Sequence, residues 1–270
     1  MIEAKILLDS VNSNGNRLIS WILTYPRFIH SEFMTHRVFS RNAASSRAIP
    51  IDKVIKNIQD NPAMPHVWGL NQKGMQSGEL ASDEARAQGE EVWLAARDYA
   101  IDHARKLQDL GFHKQIVNRV LEPFSHMTVI ATATQWDNFF ALRAHPAAQP
   151  EFQILANKML DEFKRNKPNL LKENQWHIPF GDRMPDGITE QEQLKVATAR
   201  CARISYLTFE GAIDLQKDYE LHDRLLSDGH MSPFEHCAMA NQGGRSGNFV
   251  GWTQYRKFLP NEDKTDPRLH

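Results

Sequence analysis

The chain has 270 residues, a formal net charge of −1 and 41% hydrophobic residues, which suffices for one large packed domain or two small ones. Balanced charge gives no broad basic field, so no stable nucleic-acid or membrane-surface binding is expected. No window approaches ~18 uninterrupted apolar residues, and the N-terminus lacks the basic start and cleavage site of a signal peptide. The only cysteines, Cys201 and Cys237, lack any zinc-binding spacing, so we expect a cytoplasmic protein without metal or disulfides.

The N-terminal region reads as a β-hairpin followed by a helix. Residues 4–11 and 17–24 have strand character, and the Asn-Gly pair between them tolerates the positive φ of a tight turn. Pro26 suits the first turn of a helix, and the apolar residues after it recur at helical spacing. This pattern predicts a helix that is closed by His36 and Arg37.

Residues 35–47 form a short segment with three arginines, one histidine, three serines and no acid. Residues 40–46 are small and polar, which predicts a loop. Basic side chains beside hydroxyls and free backbone N–H groups make an anion site, with phosphate as the expected ligand. Composition alone equally allows a solvated basic turn.

The middle of the chain is mainly helical. Helical patterns cover residues 51–59, 82–110, 113–121, 136–143 and 148–165, and residues 127–134 are rich in strand formers. The apolar stripe predicted for the long helix is Val92, Ala95, Ala96, Tyr99, Ala100, His103, Ala104 and Leu107. Residues 61–79 show little periodicity and have the length of a functional loop.

The C-terminal region begins with the polar segment 166–189, which reads as a linker. Residues 190–205 and 218–228 are predicted helices, and Gly229 is suited to the left-handed cap of the second one. Residues 242–247 read as a glycine-rich turn, residues 249–258 as a last ordered segment and residues 259–270 as a polar tail.

Several separated motifs resemble those of the flavin-dependent thymidylate synthases. His36-Arg37 stands seven residues before Ser45, with Asn42 and Arg47 in register, as in the family's central motif. Four further stretches resemble that family: the tryptophan-containing loop 65–78, the helix end 118–123, the block 141–151, and residues 201–206 together with 229–236.

The last of these stretches opens the chains of that family, whereas here it comes last. The resemblance therefore implies a circularly permuted member. It implies one domain over residues 1–270, with a flavin and nucleotide core over 1–165, a linker over 166–189, and a permuted segment over 190–270 that completes the fold. The implied fold is α/β (α+β), with a mixed, mainly antiparallel sheet and flanking helices.

The resemblance also implies an enzyme, namely a thymidylate synthase-like methyltransferase. Members of that family methylate C5 of dUMP to give dTMP, with FAD as cofactor and with NADPH and methylenetetrahydrofolate as co-substrates. They need no cysteine nucleophile, which agrees with the lack of a Cys–His arrangement here. They are homotetramers whose active sites lie at subunit interfaces.

By resemblance, Arg143 is the catalytic residue that holds the base and stabilises charge as C5 becomes nucleophilic. An arginine that only caps the end of a helix is the structural alternative. Ser45, Ser46 and Arg47 would hold the nucleotide phosphate, and Arg119 would add a cation. For both of these arginines a surface ion pair is the alternative.

The flavin contacts implied by the resemblance come from four parts of the chain. The predicted cofactor-binding residues are His36, Arg37, Thr132, Thr134, Asn138, His230 and Ser232. Ordinary strand positions remain an alternative for the threonines, a structural hydrogen bond for His36 and a helix-stop residue for His230.

Four residues depart from the family pattern: Thr35 and Ala43 replace charged residues, Glu32 replaces a glutamine beside the expected base, and Ala48 replaces an aromatic residue. These departures leave open C5 hydroxymethylation, or a related modification, of dUMP or dCMP. They also leave open an inactive homologue that binds nucleotide or flavin.

Overall fold

The hairpin forms as predicted in the computed structural model, which describes residues 1–76, 78–260 and 262–263. Strand β1 (Glu3–Asn12) pairs antiparallel with β2 (Arg17–Pro26). Gly15 adopts φ 81° in the turn, a conformation in which a Cβ would be strained. The hairpin forms the centre of the larger sheet.

That sheet is mixed and mainly antiparallel, which confirms the predicted fold class. In the described part of the chain its order is β3-β4-β2-β1-β5, where β3 is Ser40–Ala43, β4 is His126–Ala133 and β5 is Asn169–Leu171. Only the short β1–β5 pairing is parallel. The segment expected to be a plain linker therefore adds a strand to the edge of this sheet.

One face of the sheet carries the main core. Alternate residues of β2, such as Trp21 and Tyr25, pack with aromatic residues of α5 (Asp137–Arg143) and α6 (Pro150–Arg165). Both helices were predicted from apolar spacing. Arg143 is the last residue of α5, so this packing fixes where its side chain begins.

A helical layer follows the opening segment. It contains α2 (Ile51–Asp60), α3 (Asp83–Asp109), α4 (Lys114–Val117) and a 3₁₀ helix over Asn118–Phe124. The predicted stripe of α3 is partly wrong, because Val92 and Tyr99 are exposed. Ala104 is buried as predicted, and Ile101, which lies outside the predicted stripe, is buried as well. Both pack with apolar residues of Asn118–Phe124, which decides the face of α3 that is covered.

The C-terminal region packs on the other face of the sheet. Helices α7 (Glu190–Arg203) and α8 (Leu215–Asp228) lie beside a small antiparallel sheet of β6 (Trp176–His177), β7 (Ala238–Ser246) and β8 (Phe249–Gln254). Gly229 ends α8 at φ 76°, as predicted.

Several local predictions need correction. The helix after Pro26 is a 3₁₀ turn over Arg27–Ile29 followed by α1 (His30–Phe33), so His36 and Arg37 lie in the turn beyond it. Residues 40–43 are strand β3 because they pair with β4, a contact that local composition does not reveal. Strand β7 also runs through most of the predicted glycine-rich turn, where Arg245 and Ser246 pair with β8 after a break in the register.

Two predicted segments are only partly described. Ser77 of the loop over 61–79 lies outside the described residues. Residue 261 and residues 264–270 of the predicted tail lie outside them as well.

Candidate functional site

Arg143 is the centre of a polar cluster that joins α5 to the turn after α1. Its Nη1 donates to Glu32 Oε2 at 3.2 Å, its Nε donates to His36 Nε2 at 3.0 Å, and its Nη2 donates to Thr35 Oγ1 at 3.3 Å. The guanidinium also lies 4.7 Å from the centroid of the Phe152 ring. All three nitrogens are therefore held, and the planar group has one orientation.

His36 supports this arrangement as a neutral acceptor. The ring is 8% exposed, stacks on Phe39 with centroids 5.6 Å apart, and meets the Phe139 ring edge-on. Burial, followed by the charges of Arg143 and Arg41, lowers the pKa of His36 to about 4. Because Nε2 accepts from Arg143, the ring proton is on Nδ1.

The cluster carries little net charge, because Glu32 pairs with Arg143. Thr35, which stands where the resemblance expects an arginine, contributes a hydroxyl that donates to the backbone oxygen of Glu32 at 2.7 Å. Arg143 is 20% exposed, and within the described part of the chain two of its five N–H groups have no hydrogen-bond partner and could bind a ligand. A carboxylate acceptor and guanidinium donors thus lie side by side, which suits the polar edge of a pyrimidine.

Arg41 is a residue that sequence reasoning missed. Its Nη1 donates to the backbone oxygen of His36 at 3.0 Å and to those of Phe33 and Met34 at 3.4 Å. It therefore ties together the turn that presents Thr35 and His36. The signal would have been strand alternation in residues 40–43, which directs Arg41 away from Asn42.

The predicted phosphate residues lie in a second group. The backbone N–H of Ser45 donates to the Ser205 backbone oxygen at 3.0 Å, and its hydroxyl accepts from the backbone N–H of Arg47 at 3.3 Å. The Ser46 hydroxyl donates to Glu122 Oε1 at 2.6 Å, and Arg119 Nη1 donates to the same oxygen at 3.0 Å. Glu122 therefore holds two of the predicted phosphate residues.

Arg47 and Arg119 nevertheless share one surface. Arg47 is exposed, and both arginines line a shallow groove together with Ile116 and Val120. An anion placed in this groove would meet two guanidinium groups. The observed Arg119–Glu122 contact is the surface ion pair considered above as its alternative, since the Arg119 side chain is about half exposed.

A cavity of about 360 Å³ lies behind Ser46. Ile49 and Val54 form part of its apolar wall, and Asn118 and Glu122 contribute polar groups. Within the described residues, the buried Asn118 Oδ1 has no hydrogen-bond partner. Sequence patterns do not indicate this cavity, because its walls come from several helices and strands that are far apart in the chain.

The predicted flavin residues divide into buried and exposed sets. Thr132 is fully buried, and its hydroxyl lies 2.7 Å from Ser20 Oγ and 2.8 Å from His236 Nδ1. The hydroxyl of Thr134 accepts from the Val250 backbone N–H at 3.1 Å. The exposed set consists of Arg37, Asn138, His230 and Ser232.

Two consecutive residues of the segment 233–236, which reads Pro-Phe-Glu-His, hold strand β3. Glu235 accepts from the Ser40 hydroxyl at 2.7 Å, and His236 Nε2 lies 2.9 Å from Asn42 Oδ1. Asn42 Nδ2 in turn donates to Ser232 Oγ at 3.2 Å. The structure thus brings the opening segment and the C-terminal stretch together.

Most predicted site residues with side-chain contacts therefore lie in three groups, around Arg143, around Ser45–Arg47 and around Asn42, whereas Thr134 contacts Val250. Within the described residues, no hydrogen bond or ion pair joins Arg143 to Ser45–Arg47. The same part of the chain contains no cluster of three or more His, Cys, Asp or Glu side chains suited to a metal ion. Nor does it contain a helix long and apolar enough to cross a membrane.

Comparison with known proteins places this geometry in context. A family model described as thymidylate synthase complementing protein matches residues 19–169, more than half of the chain. No curated protein matches the chain.

Two similar solved structures are those of a UMP/dUMP methylase, PolB, from Streptomyces cacaoi. The one bound with 5-Br UMP is 17% identical, with a TM-score of 0.51, and the match covers 61% of this chain and 89% of that chain. The one bound with 5-Br dUMP is 16% identical, with a TM-score of 0.51, and the match covers 61% and 90%. At this identity the likeness shows a shared fold.

Proposed function

Because this chain belongs to the thymidylate synthase complementing protein family, we propose that it methylates C5 of a pyrimidine deoxynucleotide, with dUMP as substrate and dTMP as product. The observation that carries the proposal is the fixed guanidinium of Arg143 beside Glu32 and the neutral His36. The PolB structures, whose protein is a methylase of UMP and dUMP, support the same substrate class.

Arg143 would bind a carbonyl oxygen of the base. Methylation at C5 requires a nucleophilic C5, and ionisation of N3 provides it by spreading negative charge over the base, including its carbonyl oxygens. A guanidinium that is already oriented stabilises that charge without reorganisation. The His36 contact supports this role because a neutral imidazole accepts from Arg143 Nε, while Nη1 and Nη2, which donate to Glu32 and Thr35, each keep a second N–H group for the substrate.

The nucleotide phosphate would bind at Ser45, the backbone N–H of Ser46, Arg47 and Arg119. Exposure of Arg47 and its shared groove with Arg119 support this assignment. The separation of this group from Arg143 supports a site completed between subunits of a homotetramer, because one nucleotide could then meet the two groups from different copies.

The exposed residues are compatible with FAD. Arg37 is an exposed cation suited to a pyrophosphate, and Asn138, His230 and Ser232 present polar groups. When bound, FAD would supply the hydride for the reduction, with NADPH as its reductant and methylenetetrahydrofolate as carbon donor. Thr132 is enclosed by protein and would act only through His236.

We further propose that residues 190–270 are a permuted segment that completes the domain. The contacts of Ser205 with Ser45 and of His236 with Asn42 support this order, because both place the C-terminal segment against the opening segment. A cytoplasmic location is part of the same proposal, and the two free cysteines are consistent with it.

A second candidate function is modification of dCMP, including C5 hydroxymethylation. The observation that favours it is the Glu32 carboxylate 3.2 Å from Arg143, because a carboxylate accepts a hydrogen bond from the amino group of cytosine. In uracil the N3–H group is the donor that Glu32 would accept from. Glu32 and Arg143 by themselves therefore allow both bases.

The test is incubation of the purified protein with methylenetetrahydrofolate, NADPH and FAD, with dUMP or dCMP as the acceptor. Mass spectrometry of the product distinguishes the two functions. We expect dTMP from dUMP. A product one oxygen heavier than the methylated nucleotide, or turnover of dCMP alone, would favour the second candidate. Lack of any product from either nucleotide would refute both.

A further inference from the structure

A continuous chain of polar side chains crosses the interior behind strand β3. Neighbouring polar atoms are 2.7–3.2 Å apart at every step. In spatial order the members are Ser10, His177, Ser20, Thr132, His236, Asn42 and Ser232. This chain of polar side chains is buried at Ser10 and reaches the surface at Ser232.

Two arrangements of the protons let every member of this chain donate to one neighbour and accept from the other. Each neutral imidazole donates once and accepts once, and in these arrangements each hydroxyl does the same, so the direction of one bond sets the direction of all the others. Burial lowers the pKa of both His177 and His236 to about 3, so both rings are neutral at neutral pH. A doubly protonated ring, which would break the order, is therefore excluded.

The amide of Asn42 selects one of the two arrangements. Its Oδ1 lies toward His236 and only accepts, so His236 Nε2 carries the proton and donates. Nδ1 of His236 then accepts from Thr132, Thr132 accepts from Ser20, and the order continues back to Ser10. The Asn42 NH₂ group consequently faces Ser232 and the surface.

We propose that His236 is a positioning residue that holds the Asn42 amide with its NH₂ group directed outward, where it donates to an acceptor atom of a bound flavin or nucleotide. Ser232 takes one of the two amide hydrogens, and the other is left for the ligand. The proposal rests on the proposed function for the identity of that ligand. In this proposal the segment 233–236 orients a ligand-binding amide and does not itself contact the reacting atoms.

Two substitutions at His236 separate its two contacts. In His236→Gln the side-chain amide can still donate to Asn42, whereas in His236→Asn the shorter amide reaches only Thr132. Ser10→Ala is the matched control, because it removes a buried hydrogen bond at the far end of the same chain. The probes are FAD and dUMP, with binding measured by titration and stability by thermal unfolding.

We expect His236→Asn to weaken binding of FAD or dUMP about tenfold, the factor given by one lost hydrogen bond, and His236→Gln to stay within about threefold. Ser10→Ala should lower the unfolding temperature and leave both dissociation constants unchanged. If Ser10→Ala and His236→Asn weaken binding equally, the effect is general destabilisation and the proposal is wrong.

An ¹⁵N NMR spectrum of the wild-type protein gives a readout that needs no ligand and no variant. We expect His236 to be protonated on Nε2 at neutral pH. Protonation on Nδ1 would reverse the chain, turn the Asn42 oxygen outward and overturn the proposal. If the wild-type protein binds neither FAD nor dUMP, the proposed function fails while this measurement still decides how Asn42 is oriented.

Discussion

Replacing Arg143 with lysine removes the planar fork and keeps the charge. The lysine ammonium can still approach Glu32, but the bonds from Nε to His36 and from Nη2 to Thr35 are lost. A hydrogen bond to a charged group contributes about 1.5–3 kcal/mol when buried. Because Arg143 is 20% exposed, each of the two lost bonds is set at about 1 kcal/mol, the net value of an ordinary hydrogen bond, which gives about 2 kcal/mol less stability.

The effect on catalysis should be larger than the effect on stability. Loss of one oriented donor at a site of developing charge lowers turnover by about 10²–10³-fold. We therefore expect the kcat of dTMP formation from dUMP to fall by that factor in Arg143→Lys, while the protein stays folded and FAD binding is unchanged. Steady-state kinetics and a denaturant titration measure the two quantities.

Arg165→Lys is the matched control for this variant. Arg165 pairs with Glu162 on the surface and is 71% exposed, so the same substitution there should change stability by less than about 0.5 kcal/mol and leave turnover unchanged. Wild-type turnover in Arg143→Lys would refute the role of the fork. An equal loss of turnover in both variants would show that the assay reports something other than this site.

Three further predictions concern stability. As pH falls from about 6.5 to about 3, the unfolded chain binds protons at His177 and His236, whereas the folded chain does not. The free energy of unfolding should therefore decrease as pH falls through this window. Above pH ~6.5 these two residues should have no effect on its pH dependence. Asp218→Asn should cost about 3–5 kcal/mol, because it leaves the buried Arg200 without its counter-charge 3.3 Å away. Gly229→Ala should cost about 1 kcal/mol, since its φ of 76° strains a residue with a Cβ.

Each of these predictions has a check within the same protein. Protonation of His236 in an NMR titration at pH 6 would contradict the first. A stability loss in Asp218→Asn no larger than in the exposed Asp60→Asn would contradict the second. The control for the third is Gly181→Ala, because Gly181 lacks a positive φ and a Cβ there meets nothing closer than 3.9 Å. Equal losses of stability in Gly229→Ala and Gly181→Ala would show that the positive φ of Gly229 is not the cause.

Most of the elements that form through local interactions could be predicted from the amino-acid sequence. The hairpin turn at Gly15, the helix over Ile51–Asp60, the long helix over Asp83–Asp109 and the helix over Pro150–Arg165 agree with their patterns. These elements follow from backbone conformation and from apolar spacing within a few turns, which a single sequence displays. The mixed, mainly antiparallel sheet was also expected, through the resemblance of motifs.

The strand over Ser40–Ala43 and the partners of the site residues depend on long-range packing and could not be predicted from the sequence. Arg143 meets Glu32 and His36 across 111 and 107 positions of the chain, and Asn42 meets His236 across 194. The hydrogen-bond partner of a side chain depends on which helices and strands pack together. The spacing of residues in the sequence does not show which elements these are. The resemblance of motifs suggested Thr132 as a flavin contact or an ordinary strand residue, and only the structure showed its hydroxyl between Ser20 and His236.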